Sequence, residues 1–184
     1  MKRLLDLTVS FLALLLLAPV LALVALAVLL DDGRPVLFRH PRVGRGGREF
    51  GMLKFRSMVV NAASIGPWQT ASNDPRITRV GRFLRRSSLD ELPQLINVLR
   101  GDMSLVGPRP DVPAQRPLYT EAQWLQRCSV RPGITGLAQA LYRSDCTQAQ
   151  RVEADLRYTR EAGLWLDLKI MLWTLSRLSG KGSN

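Results

Sequence analysis

From Leu7 to Leu30 the sequence reads LTVSFLALLLLAPVLALVALAVLL, 24 residues without a charge. A straight helix of that length reaches roughly 36 Å at about 1.5 Å per residue, enough to cross the hydrocarbon of a bilayer. Pro19, at the middle of the run, removes one backbone donor and crowds the preceding turn, so it kinks or breaks the helix. Two readings stand. One is a kinked spanning helix, since prolines are tolerated in such helices. The other is a hairpin whose halves, each about 12 residues and roughly 18 Å long, enter one leaflet and return. Lys2 and Arg3 precede the run, and Arg34, Arg39, Arg42, Arg45 and Arg48 follow it. The positive-inside rule would keep both ends on the cytosolic side, which a hairpin satisfies and a single crossing does not. A cleaved signal peptide is disfavoured, because the run is long and LLDDGRPV offers no small-residue cleavage site.

Beyond the run the pattern changes to short strand-type segments. In PVLFRHPRVGRGGREFGMLKFRSM, Val36, Phe38, Val43, Phe50, Leu53 and Phe55 supply β-formers and Gly44 to Gly47 a turn, which predicts a β-hairpin. Pro41 places its strand at an edge or a bulge. Residues 61–80 read as irregular, with turn signals at Gly66-Pro67 and Asn73-Asp74-Pro75. Helices follow from about Gly81 to Arg86 and from about Leu92 to Arg100, the second stopped by Gly101. Pro93 either kinks one continuous helix or begins a new one. AQRPLYTEAQWLQRCSV is helical in its second half, RPGITGLAQ is a glycine-punctuated loop, and helix dominates from Val152 to Leu178. In that last helix Trp165 and Trp173 suit a membrane interface, although the same apolar pattern serves an ordinary core helix. The elements add up to an α+β chain, mainly α.

Composition narrows the partners. The 184 residues carry 26 Lys plus Arg against 15 Asp plus Glu, a net charge of +11. Such a balance attracts polyanions: nucleic acid, anionic headgroups or phosphorylated small molecules. Phe38, Phe50 and Phe55 lie among the cations as stacking rings would, but no nucleic-acid motif is present, so that partner is not expected. A single histidine, His40, excludes a multi-histidine metal site. Cys128 and Cys146 match neither a metal-ligand spacing nor a disulfide framework, and a reducing compartment is the simpler reading.

The candidate chemistry lies in SSLDELPQLINVLRGDMSLVGPRP, Ser87 to Pro110. Ser88-Leu89-Asp90-Glu91 fits the capping box S-x-x-E, in which Ser88 and Glu91 would satisfy free N–H groups at a helix start. Asp90 would then sit in the electropositive first turn. Arg109, held between Pro108 and Pro110, is a preorganised phosphate ligand. Lys54, Arg56, Arg131 and Arg143 are further candidates. An acid pair among such cations suggests metal-assisted phosphoryl transfer, in which a carboxylate attacks phosphorus to form an acyl phosphate and Mg²⁺ neutralises the phosphate oxygens.

In linear order these motifs resemble the bacterial sugar transferases called monotopic phosphoglycosyl transferases, in their catalytic-domain-only form. The resemblance runs from KRLLDL and the proline-interrupted segment through FRHPRVGRGGREFGMLKFRSM and DPRITRVGRFLRRSSLDELPQLINVLRGDMSLVGPRP to RPGITGLAQ and LDLKIMLWT. It implies a re-entrant membrane helix over 1–32, broken at Pro19, and a cytosol-facing catalytic domain over 33–184 with interfacial helices around the β-hairpin. It implies transfer of a sugar 1-phosphate from a UDP-sugar to a polyprenyl phosphate, such as undecaprenyl phosphate, with release of UMP. The place would be one leaflet of the bacterial inner membrane, at its cytosolic face. Asp90 would be the nucleophile and a Mg²⁺ contact, with Glu91 assisting. Lys54, Arg109, Arg131, Gly133, Thr135, Arg143 and Asp155 would surround the substrate. The chain departs from the pattern at Ala18, where serine is common before the membrane proline, and at His40, where glutamine is usual. Ser57 replaces a common threonine, and Leu141-Tyr142-Arg143 stands where Asn-Gly-Arg is common.

Overall fold

The computed structural model describes residues 1–62, 64–66, 71, 74–142 and 146–178. It is α+β. The apolar run forms one helix, α1 (Lys2–Asp32), with Pro19 inside it. The break expected at Pro19 is absent: the proline forfeits its own N–H bond, yet the turns on both sides continue as one helix. Most of α1 presents apolar side chains outward, among them Leu12, Leu15, Leu16, Leu23 and Leu26. Its contacts with the rest of the chain concentrate toward its ends. Near the start, Arg3 donates to the Val98 carbonyl at 2.7 Å, and Asp6 accepts from Ser104 Oγ at 2.9 Å and from the Leu105 N–H at 3.1 Å. Near the finish, Asp32 pairs with Arg56 at 3.0 Å, while Val24 and Val28 pack with Phe55 and Leu84. Both ends are therefore tied to the same folded body.

The predicted hairpin is present. Strands β1 (Leu37–Val43) and β2 (Glu49–Phe55) pair antiparallel, with Pro41 opposite Gly51 in a two-stranded sheet. The tip turns through Gly46 and Gly47, at φ 69° and 76°, values that glycine adopts without a Cβ clash. Helix α2 (Arg79–Ser87) begins where Thr78 Oγ1 accepts from the Gly81 N–H at 2.9 Å. Pro93 begins a new helix, α3 (Gln94–Arg100), which ends at Gly101 in the left-handed conformation. The fully buried Asn97 fastens α3 to β2: its Oδ1 accepts from the Leu53 N–H at 2.8 Å and its Nδ2 donates to the Gly51 carbonyl at 3.0 Å.

The segment RPGITGLAQ is not a loop. Gly133–Thr135 forms β4, which pairs parallel with β3 (Ser104–Val106), and the residues after it enter a short helix. Between β3 and β4 the chain passes through a 3-10 turn (Pro113–Leu118) and α4 (Glu121–Arg127). Helices α5 (Leu137–Tyr142), α6 (Gln148–Glu161) and α7 (Leu164–Leu178) complete the fold. The main core gathers Leu95, Val106, Leu137, Ala140, Tyr158 and Ile170, with Leu5 and Leu14 of α1 packed on it.

The glycines of SLVG and RPGITG let two backbones touch. A Cβ added at Gly133 would lie 2.1 Å from the Gly107 nitrogen, and one at Gly107 would lie 2.4 Å from the Arg131 carbonyl oxygen. Neither neighbour is a flexible side chain that could yield. Gly133→Ala is expected to separate β3 from β4 and to lower the unfolding midpoint in detergent by several degrees, since overpacking of this kind costs about 1–3 kcal/mol. An unchanged midpoint would show that the two strands part freely.

Candidate functional site

The site is built where α2 stops. Ser88 takes the left-handed conformation at φ 57° and ends that helix, and Leu89–Glu91 forms a single 3-10 turn. The expected capping box does not form, for Ser88 makes no side-chain cap bond. Glu91 is drawn elsewhere by two cations. Lys54 Nζ, delivered by the outgoing strand of the hairpin, donates to Glu91 Oε1 at 2.7 Å. Arg109 Nη2 donates to the same oxygen at 2.6 Å. Hydrogen bonds between two charged groups outweigh the neutral N–H bonds of a cap. Asp90 is buried, and its closest charged partner is Lys54, 3.7 Å from Oδ2.

These surroundings separate the two acids. Burial pushes the Asp90 carboxyl above the usual carboxylate range, and the Glu91 charge adds to the rise while Lys54 opposes it. Burial would lift Glu91 as well, but Arg109 and Lys54 outweigh it and bring that carboxyl down to about 2. Glu91 thus acts as the fixed counter-ion of the two cations, and Asp90 is the weakly compensated carboxylate beside it.

Two clefts meet at this turn, and Ser88 and Glu91 line both. The first, about 530 Å³, is bounded by Leu92, Leu95, Arg109, Ile134, Thr135 and Thr174. The second, about 680 Å³, is bounded by Asp90 and by Phe38, His40, Arg42, Lys54 and Arg56.

Of the residues named from sequence, Asp90, Glu91, Lys54 and Arg109 come together. Thr135 joins them from β4, where its Oγ1 lies 2.8 Å from Thr174 Oγ1 of α7. Arg131 is placed away from the dyad, donating its Nε to the Gly101 carbonyl at 2.9 Å. Gly133 is engaged in the β3–β4 contact. Asp155 is enclosed behind the site, where Arg127 Nε donates to it at 2.9 Å. Arg143 lies outside the described residues. Trp165 and Trp173 stand on α7, 71% and 40% exposed.

Sequence reasoning passed over the support behind Arg109. Arg127 is buried, pairs with Asp111 at 2.8 Å and with Asp155, and donates to the Arg109 carbonyl. Arg151 also pairs with Asp111, and Tyr119 donates its hydroxyl to Asp111 at 2.7 Å. A signal was available on α6: Asp155 is one turn from Val152 and from Tyr158, a charge on the buried apolar face.

Among the described residues no three His, Cys, Asp or Glu side chains converge as a metal cage. Mg²⁺ needs no such cage, because it is commonly held by one or two carboxylates together with substrate phosphates. Asp90 fits that donor set, being a carboxylate whose ion pair with Lys54 is long, at 3.7 Å; both oxygens of Glu91 are engaged with Arg109.

Comparison with known proteins gives the family of the chain. The family described as bacterial sugar transferase matches residues 1–181. An undecaprenyl-phosphate glucose phosphotransferase of Komagataeibacter xylinus is 50% identical over 96% of this chain and 35% of its own length. UDP-glucose:undecaprenyl-phosphate glucose-1-phosphate transferases of Escherichia coli K12 and Caulobacter vibrioides are each 46% identical, over 95% and 96% of this chain. The chain spans 39% of the first of these and 69% of the second, and so little more than a third of the two longer relatives. The dyad, its cations and the apolar helix thus sit in a chain matched almost from end to end, and the protein belongs to the bacterial sugar transferase family.

Proposed function

We propose that the chain transfers a sugar 1-phosphate from a UDP-sugar to a polyprenyl phosphate and releases UMP. The observation that carries this reading is the dyad: one buried carboxylate left weakly paired, next to a second one clamped by Lys54 and Arg109. An Asp90 oxygen attacks the sugar-bearing phosphorus, a P–O(Asp90) bond forms, and the bond to the UMP oxygen breaks. UMP leaves with that electron pair. An oxygen of the polyprenyl phosphate then attacks the same phosphorus, displacing the Asp90 carboxylate and giving a sugar diphosphate lipid. Splitting one displacement into two is the use of a covalent intermediate. Lys54 and Arg109 stabilise charge on the phosphate oxygens, and Glu91 holds both cations in position. Mg²⁺, held by Asp90 and the substrate phosphates, would supply further neutralisation. The names of three relatives specify glucose, which makes UDP-glucose the first donor to test.

We place the reaction at the cytosolic face of the bacterial inner membrane, with α1 entering one leaflet. Support comes from the ties at both ends of α1 to one folded body and from the cations on both flanks. A helix that crossed the bilayer would carry one end away from that body.

Asp90→Asn is expected to abolish UMP release while leaving the protein folded, and mass spectrometry of the unmodified protein incubated with UDP-glucose alone should find a phosphosugar on the peptide containing Asp90. Full turnover by the variant would sink the nucleophile role.

The two acids should also respond oppositely to neutralisation at neutral pH without Mg²⁺. The Glu91 carboxyl is depressed, so its charge stabilises the fold above the ordinary carboxylate range and is lost only as pH falls toward about 2. Glu91→Gln leaves two cations without their counter-ion, and its unfolding midpoint should fall. The Asp90 carboxyl is raised, so its ionised form costs stability at neutral pH. Asp90→Asn should match or exceed the parent midpoint in the same thermal scan; a fall equal to that of Glu91→Gln would refute the distinction.

For topology, single cysteines at Met1 and Arg34, with Cys128 and Cys146 replaced by serine, should both react with an impermeant thiol reagent in inside-out vesicles and neither in right-side-out ones. Labelling from opposite faces would exclude the one-leaflet arrangement.

A further inference from the structure

The two clefts at the dyad differ in chemistry, and the difference divides the substrates. We propose that the nucleotide sugar occupies the second cleft and the polyprenyl phosphate the first, so that donor and acceptor reach one phosphorus from separate sites. This deepens the function proposed above and rests on it.

The second cleft has the groups that a nucleoside diphosphate needs. Arg42, Lys54 and Arg56 all line it. The Arg56 side chain is only 5% exposed; its Nη2 is engaged by the Asp32 and Gly33 carbonyls, but its Nε and Nη1 are buried without a partner among the described residues. Arg42 Nε is likewise unpartnered there. Buried guanidinium N–H groups without acceptors are costly, and phosphate oxygens would satisfy them. A base has rings to rest on: Phe38 and His40 lie 5.6 Å apart, centroid to centroid. Arg42 donates to His40 Nδ1, and burial, with Arg42 and Lys54 nearby, lowers the imidazole to about 4, so the ring is neutral at neutral pH. Asp90 lines this cleft and not the other, as the nucleophile toward the donor phosphorus must.

The first cleft matches a lipid phosphate. One end carries Arg109; the walls are Leu89, Leu92, Leu95 and Ile134. It reaches Thr174 on α7, whose neighbours Leu172, Trp173 and Leu175 are 64%, 40% and 62% exposed. An acceptor whose phosphate meets Arg109 can therefore lay its first isoprene units along the leucines and leave over an apolar helix face. Among the described residues that line it, a nucleotide finds no aromatic platform and one cation, Arg109. Both clefts fall in the size range of small-molecule sites.

In the second half-reaction the acceptor oxygen approaches from the first cleft, past Glu91, toward the phosphorus held on Asp90. The new P–O–P bond forms as the P–O(Asp90) bond breaks, and the Asp90 carboxylate is regenerated. UMP need not vacate the acceptor site, because it never held it.

The experiment is a product-inhibition study on the unmodified protein in detergent, with UDP-glucose and undecaprenyl phosphate, joined to two variants. Separate clefts predict that UMP competes with UDP-glucose and is noncompetitive toward undecaprenyl phosphate. Thr174→Phe, which fills the first cleft, should raise the KM for undecaprenyl phosphate by about tenfold or more while the stoichiometric burst of UMP before acceptor is added stays at the parent rate. Phe38→Ala should raise the KM for UDP-glucose and leave that for the acceptor unchanged. UMP competing with the acceptor, or either variant shifting both KM values together, would overturn the division. Absence of any UMP burst in the unmodified protein would instead reject the covalent intermediate, and the KM split of the variants would still decide the clefts.

Discussion

Arg127 is the contact on which the rest of the site depends. It is 4% exposed and meets two carboxylates, Asp111 and Asp155, one carbonyl, that of Arg109, and the face of the Tyr119 ring at 5.4 Å. The partners come from three segments. Asp155 brings α6, Tyr119 the end of the 3-10 turn, and the Arg109 carbonyl and Asp111 the stretch that runs from GPRP to the residue after it. The backbone of Asp111 in turn accepts from the Val43 N–H at 2.9 Å, where β1 ends, and Arg42 donates to the Pro110 carbonyl at 3.0 Å. One buried guanidinium therefore fixes the hairpin, α4, α6 and the Arg109 loop with respect to one another. Burying such charges is costly, and removing one partner leaves the others uncompensated at about 3–5 kcal/mol. The arrangement stabilises little against an apolar alternative. What it gives is position: the Arg109 carbonyl is held from behind, two prolines limit the backbone, and the guanidinium comes forward onto Glu91.

The same geometry explains what could be read from the sequence. Asp90, Glu91, Lys54 and Arg109 were legible because their chemistry is unusual for their setting: an acid pair in a basic chain, a cation at a strand end, an arginine between prolines. Arg127, Arg151 and Asp111 were not, since an arginine on a short helix and an aspartate after a proline are ordinary residues until the fold encloses them. The hairpin was legible from its β-forming residues and four turn residues. β4 was not, because three residues are too few to show a period of two and two glycines suggest a loop. The physical reason for those glycines, a backbone contact that admits no Cβ, exists only once Gly107 is opposite Gly133. The capping box failed for a related reason. Local motif and tertiary partners competed for Glu91, and two cations prevailed over two N–H groups.

In α1 the sequence pattern and the packing make one argument. The uncharged run begins directly after Asp6 and ends directly before Asp31, and the charged residues just outside it anchor the helix: Arg3 and Asp6 on α3 and β3, Asp31 and Asp32 on α2 and Arg56. A buried Asp6 on an apolar helix would be costly in lipid, yet here it accepts from the Ser104 hydroxyl and the Leu105 N–H. The helix is thus fitted to protein at its two ends and left with leucines outward in between, which is the distribution that a partly immersed helix needs and a wholly buried one does not.

The dyad gains its asymmetry from that scaffold. A lysine and an arginine near two adjacent carboxylates could have paired one to each, giving two strongly held acids and no good nucleophile. Instead both cations converge on Glu91 Oε1, at 2.7 and 2.6 Å, and Asp90 is left 3.7 Å from Lys54. The Ser88 turn is what separates them. Its left-handed residue ends α2, and in the single 3-10 turn that follows Glu91 lines both clefts while Asp90 lines only the second. In the proposed reaction Glu91 is thereby the fixed anion that keeps the cations in place before substrate arrives. Asp90 keeps its lone pairs for phosphorus, and the cations have a negative phosphoryl group to turn to when it comes.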